Sequence, residues 1–276
     1  MMCAWQELLA VLPPWLREQT DRKGKDKLQE LRLRLDRPPE LVCSDGSMHV
    51  DRVVDRTDLS FVINAASQYS PWAAQTISKG FLTASGGHRI GICGEAVTEQ
   101  GILKGIREVT SLCIRVARDF PGIARTLPMQ GSVLILGPPG AGKTTLLRDL
   151  IRQRSDRGTG SIAVVDERGE LFPKGFPSGK RTDILNGTTK DQGIPTVLRT
   201  MGPATIAVDE VTDRSDTEAL LQVFGCGVDI LATAHGATTG DLDRRSEYKR
   251  LMDAQVFQTV VILQRDKSWR TERIGL

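Results

Sequence analysis

An α/β fold, built on a parallel sheet and preceded by a small α+β domain, is predicted by three observations. The second half of the chain runs "SVLILG", "KTTLLRDLIRQR", "SIAVVDE", "IPTVLRTMG", "TIAVDE", "SDTEALLQVFGCG" and "DILATAH" in order, an alternation of strands and helices. Such alternation implies parallel strands with helices on both faces. The strands are apolar at almost every position, as in a sheet covered on both sides. Finally, the 276 residues exceed one ordinary domain, and residues 1–118 lack the strand–helix rhythm.

Within residues 1–118, a short amphipathic helix over 1–20 is expected to break at Pro13-Pro14. "LQELRLRLDR" alternates Leu31, Leu33 and Leu35 with Arg32, Arg34 and Asp36, the period of a half-buried strand, and Pro38-Pro39 ends it. "LSFVINAASQYSPWAAQTISKG" has helical spacing interrupted at Pro71, and the stretch from Gly80 to Arg118 holds short β-rich runs separated by glycines. Residues 119–130, with Pro121 and Pro128, form the expected connector, and 131–276 form the second domain. The sequence shows no internal repeat and no low-complexity tract.

With 39% hydrophobic and 26% charged residues, the composition is that of a soluble globular protein. A net charge of +3 and 5% aromatic residues give neither the dense basic patch nor the stacking surface of a nucleic-acid binder. The five cysteines (Cys3, Cys43, Cys93, Cys113, Cys226) are scattered, with no C-x-x-C pair, which fits reduced thiols rather than disulfides or zinc. The amino terminus lacks a basic n-region, and no run approaches the ~18 apolar residues of a membrane span. A cytosolic chain, or one held at a membrane by something else, is expected.

"GPPGAGKTT" is the most informative stretch. Gly137, Pro138, Pro139, Gly140, Ala141, Gly142, Lys143, Thr144 and Thr145 satisfy G-x-x-x-x-G-K-[ST], between an apolar strand and a helix. Glycines let successive backbone N–H groups turn toward an anion, and the helix N-terminus adds partial positive charge. Lys143 is expected to reach the β- and γ-phosphates of a nucleoside triphosphate, and Thr144 to ligate Mg²⁺.

Strand ends supply the remaining candidates, since ligands of open α/β sheets sit beyond the carboxyl ends of the strands. "TIAVDE" ends in Asp209, read as the metal-side acid, and Glu210, the candidate base that orients the attacking water; a neighbouring strand is expected to carry them. "IAVVDERGEL" ends similarly, and Asp166 or Glu167 is a second candidate on the metal side. In "DILATAH" the period of two puts Thr233 and His235 on one face. If that strand adjoins the P-loop strand, its tip faces the γ-phosphate.

The order of Walker A loop, acidic box ("VVDERGE"), "LRTMGPATIAVDEVTDRSDTEAL" and "GVDILATAHG" resembles the ATPases of type II and type IV secretion and pilus machines. His235 then corresponds to the His-box histidine. A narrower resemblance, to the stage III sporulation AA family, covers nearly the whole chain through "ELRLRLDRPPEL", "SQYSPWA", "GGHRIGICGEAV", "IREVTSLCIRVAR", "VVDERGEL" and "GKRTDILNG". It implies a RecA-like P-loop domain, ATP with Mg²⁺, and a hexamer. It also implies a place on the mother-cell side of a membrane-embedded channel complex between mother cell and forespore. The chain departs from many secretion ATPases in carrying Asp209-Glu210 where they have Gly-Glu. In such ATPases arginines of the first domain or a neighbouring subunit close the site; Arg89, Arg107 and Arg115 lie in the matching segments, and Arg181 follows the acidic box. A nucleic-acid-stimulated ATPase and a nucleotide-gated structural subunit with little turnover are the competing classes.

Overall fold

The structure, a computed structural model, describes residues 1–68, 80–173, 175–243 and 245–274. It divides into two compact units. The first comprises Met1–Asp119 with Pro173–Phe176, and the second Phe120–Phe172 with Pro177–Leu276.

The first unit opens with helices α1 (Trp5–Ala10) and α2 (Pro14–Lys23), divided at the proline pair; Pro14 starts α2 at a position that needs no N–H. Strands β1 (Leu28–Arg34), β2 (Glu40–Cys43) and β3 (Gly46–His49) follow, then helix α3 (Arg56–Ser67). Asp55 caps α3 by accepting from the Asp58 N–H while the Asp58 carboxylate accepts from the Asp55 N–H. The expected helix continues into 69–79 with Pro71, outside the described residues. Strands β4 (Phe81–Thr83), β5 (Arg89–Glu99) and β6 (Ile102–Arg115) complete an antiparallel sheet of order β3-β2-β1-β6-β5-β4. As the alternation in β1 requires, Leu31 and Leu33 are fully buried and Arg32 and Arg34 are not.

The second unit runs β7 (Val133–Gly137), α4 (Lys143–Arg157), β8 (Ile162–Asp166), β9 (Thr182–Asn186), α5 (Lys190–Met201) and β10 (Thr205–Val208). It continues with α6 (Arg214–Gly225), β11 (Asp229–His235), α7 (Gly240–Asp243), α8 (Ser246–Asp253), β12 (Thr259–Leu263) and β13 (Trp269–Arg273). The sheet order is β13-β12-β7-β11-β10-β8-β9, parallel throughout except for β13 against β12. Successive residues of β7 enter opposite cores. Val133 and Ile135 pack with Leu146, Leu147 and Leu150 of α4, while Leu134 and Leu136 pack with Ile194, Val197, Leu220 and Val223 of α5 and α6. Burying each such aliphatic side chain contributes about 1.5–3 kcal/mol, which fixes the sheet as the rigid floor of the strand ends.

Two features depart from the sequence reading. Strands β9, β12 and β13 widen the sheet beyond the four strands read from the sequence; β9 ("TDILN") is a half-exposed edge with no apolar run, whereas β12 ("TVVIL") carries one that the reading passed over. And β10 is not the neighbour of β7, because β11 lies between them.

Candidate functional site at the strand ends

At the end of β7 the chain turns through residues 138–142 into α4. Gly140 and Gly142 adopt φ of +75° and +100°, and a Cβ on either would meet nothing within 4 Å. The need for glycine there is torsional, and the cradle is open, as an anion held by backbone N–H groups requires. Ala141 is buried and pins the loop to the core beneath, while Pro139 and Gly140 are exposed at its crest. Thr144 and Thr145 follow in the first turn of α4, both half-buried.

Lys143 is buried, and its ammonium group donates to Gly137 O (3.0 Å), Pro138 O (3.2 Å) and His235 Nδ1 (3.1 Å). Burial lowers its pKa, against the opposing pull of Asp209 and Glu210. The histidine arrives because β11 pairs with β7 in a register that sets His235 opposite Gly137. An ammonium can only donate, so Nδ1 accepts and the ring proton sits on Nε2. Nε2 in turn donates to Glu210 Oε1 at 2.9 Å. The other Glu210 oxygen, Oε2, accepts from Arg168 at 2.8 Å. Burial raises the Glu210 pKa, but the His235 hydrogen bond and the Arg168 charge outweigh it and hold the carboxyl below its ordinary range.

Asp209 joins three elements. It accepts from Thr144 Oγ1 through Oδ2 (2.7 Å) and from Thr233 Oγ1 through Oδ1 (2.5 Å). Thr233 Oγ1 also accepts the Glu210 N–H at 2.8 Å. That bond steadies a backbone at φ +54°, a left-handed conformation uncommon for glutamate. Thr144 and Asp209 offer hydroxyl and carboxylate oxygens, the hard donors that suit Mg²⁺ beside phosphate. Among the described residues no three His, Cys, Asp or Glu gather as a metal-binding group.

The other sequence candidates sit differently. Asp166 is buried, and its carboxylate accepts the N–H groups of Glu170 (3.0 Å), Leu171 (2.9 Å) and Phe172 (3.3 Å), which anchors the turn that follows β8. Its burial raises its pKa against the opposing effect of those bonds. Glu167 accepts from Lys190 at 3.0 Å, a buried cation that also lies 3.4 Å from Asp216. Asp166, Glu167, Arg168, Glu170, Lys190, Asp209 and Glu210 line one small cleft. In the first unit, Arg89 stacks over the Phe81 ring (4.6 Å), Arg107 pairs with Glu95 (2.8 Å) and Arg115 lies 3.4 Å from Glu30. Arg181 donates to Ser155 O (2.8 Å) and Gly158 O (2.6 Å), closing the end of α4. Sequence reasoning passed over Arg168 and Lys190. Nothing in their local pattern separates them from surface cations, because the partner of Arg168 is 42 residues away and those of Lys190 are 23 and 26 residues away.

The profile of the family described as "Sporulation stage III, protein AA" matches residues 5–273. Stage III sporulation protein AA of Bacillus subtilis (strain 168) is 35% identical over 280 residues, spanning 95% of this chain and 91% of that one. Among solved structures, the Legionella pneumophila ATPase DotB superposes with a TM-score of 0.64 at 17% identity, over 95% of this chain and 80% of its own. The pilus retraction motor PilT with bound ADP does so with a TM-score of 0.67 at 13% identity, over 94% and 83%. At such identities the likeness establishes the fold, a RecA-like P-loop domain that follows a smaller α+β domain in the chain. Among the described residues no helix is long and apolar enough to cross a membrane.

Proposed function

The chain belongs to the sporulation stage III, protein AA, family, and from that membership we propose that it hydrolyses ATP as a secretion-type motor. In this reading a ring of identical subunits, a hexamer, works on the mother-cell side of a membrane channel complex. One observation carries it. Lys143, Thr144, Asp209, Glu210 and His235 come from three separate segments and meet, with Thr233 between them, in a single hydrogen-bonded cluster beyond the strand ends. The names of the structural neighbours, an ATPase and a pilus motor bound to ADP, agree with it.

The chemistry assigns each residue a task. The backbone N–H groups of 140–143 hold the β-phosphate at the start of α4. Lys143 exchanges its contact with His235 for phosphate oxygens. Thr144 and Asp209 would hold Mg²⁺, which would supply neutralisation of phosphate charge. Glu210 orients a water and takes its proton as the water oxygen bonds to the γ-phosphorus. The bond from that phosphorus to the β,γ-bridging oxygen breaks, releasing ADP and phosphate. Arg89, Arg107 and Arg115 remain candidates for stabilising that charge from a neighbouring subunit.

The test is ATP turnover per chain over a wide range of protein concentration, with Lys143→Ala beside the wild type. A steep rise with concentration, and a fall of about 10²–10³ in the variant, are expected for sites completed between subunits around a charge-stabilising lysine. Wild-type turnover in Lys143→Ala would remove the assignment.

A further inference from the structure

Arg168 stands in the turn after β8, and buried contacts fix that turn from two sides. Asp166 accepts the N–H groups of residues 170–172. Arg148, buried on α4, donates to the carbonyls of Glu170 (2.8 Å) and Leu171. Both the donors and the acceptors of the turn are therefore anchored, and one anchor belongs to the helix that begins at Lys143. This frame presents two side chains. Glu167 turns to Lys190, and Arg168 reaches Glu210 Oε2.

Glu210 is thereby gripped at both oxygens, by His235 on one side and Arg168 on the other. We propose that Arg168 is a positioning residue for hydrolysis, whose guanidinium fixes the carboxylate plane of Glu210 so that its open lone pairs face the attacking water. The inference rests on the ATP-hydrolase reading given above.

Each carboxylate oxygen has two lone-pair directions, so one contact on each leaves room for a water. A glutamate otherwise rotates about three side-chain bonds, and restricting that freedom before reaction is where orientation gains its rate. The acidic box then has a purpose that needs no metal ligand, since Asp166 and Arg148 hold the turn and the turn holds Arg168. The Arg168 side chain is 53% exposed, and an ion pair so open to water adds little to stability. Its contribution should therefore appear in rate rather than in melting temperature.

The experiment compares full-length Arg168→Gln and Arg168→Lys with wild type in three measurements: kcat and KM for ATP, melting temperature, and the His235 ring signals by NMR without nucleotide. For Arg168→Gln we expect kcat to fall about tenfold or more, as misorientation does, with KM within about twofold and melting unchanged. The Nε2–H signal of His235 should weaken or vanish as Glu210 swings free. Arg168→Lys should restore part of both. Wild-type kcat and an unchanged His235 signal in Arg168→Gln would overturn the proposal, and so would a rise in kcat, which would make the contact a restraint. A wild type that turns over no ATP would instead sink the hydrolase reading, while the NMR arm would still decide whether Arg168 holds Glu210.

Discussion

Thr233 lies on β11 and Asp209 follows the end of the adjacent β10, and the Thr233 hydroxyl donates to the Asp209 carboxylate at 2.5 Å while accepting the Glu210 N–H at 2.8 Å. One fully buried hydroxyl thus sets both the proposed metal-side acid and the backbone of the candidate base. Thr233→Val keeps the shape and removes both bonds, leaving the half-buried Glu210 N–H without its acceptor. A loss of about 1–3 kcal/mol is expected from the unsatisfied groups. Turnover should fall further than stability, because Glu210 would leave its left-handed backbone. Denaturant midpoints and single-turnover rates check this; an active, fully stable valine variant would remove the hydroxyl from the site.

Lys190 is buried between Glu167 and Asp216, and Asp216 is itself buried and accepts the Thr212 N–H. Lys190→Met preserves the stem and deletes the charge, leaving Asp216 without its cation. Breaking a buried pair from one side costs about 3–5 kcal/mol. The double variant Lys190→Met, Asp216→Asn should recover part of that, because neither charge then remains. Urea midpoints of the two variants decide it, and a single variant as stable as wild type would show the pair to be solvated.

His88 is fully buried in the first unit; Nε2 lies 2.8 Å from Ala4 O, and Nδ1 accepts the Ala117 N–H at 3.2 Å. The ring proton therefore sits on Nε2, and a second proton would set Nδ1–H against an N–H. Burial holds the pKa below its usual 6.5, outweighing the pull of the Ala4 carbonyl and of Glu7; Arg118 lowers it further. The unfolded chain binds more protons between the two pKa values. The His88 contribution is thus complete above the unfolded value and is lost as pH falls through that window. Protection of the Ala117 amide, corrected for intrinsic exchange, should drop as pH falls below the ordinary histidine value of about 6.5. Flat protection over that range would show that the ring accommodates the second proton.

The sheet's central strands and the P-loop were legible because their signals are local: β7, β8 and β10 are continuous apolar runs, and the glycine spacing sits between strand and helix. His235 was legible conditionally, since its meaning depended on whether β11 adjoins β7, and the register against Gly137 supplies that. What the sequence could not give is the company each acid keeps. Asp166 and Asp209 both end buried strands with a following glutamate, yet one carboxylate accepts from backbone N–H groups and the other from two hydroxyls. That difference is set by the chain after each strand. The turn of 169–172 folds back on Asp166, whereas Val211 leads away to pair its N–H with Thr233 O.

Gly142 closes the loop in which the proposed function holds phosphate. Its φ of +100° is closed to side chains, although the space a Cβ would enter is empty. Gly142→Ala should therefore disturb the loop's torsions without striking a neighbour, a strain of about 1–3 kcal/mol. If the loop relaxes to relieve it, the N–H groups before α4 no longer converge, and the cradle loses the geometry an anion needs. Nucleotide affinity should then fall more steeply than melting temperature. Titration with a fluorescent ADP analogue, beside a thermal melt of the same samples, separates the two effects. Lower stability with wild-type affinity would mean that phosphate is held by Lys143 alone, and that the backbone of 138–142 is not a cradle.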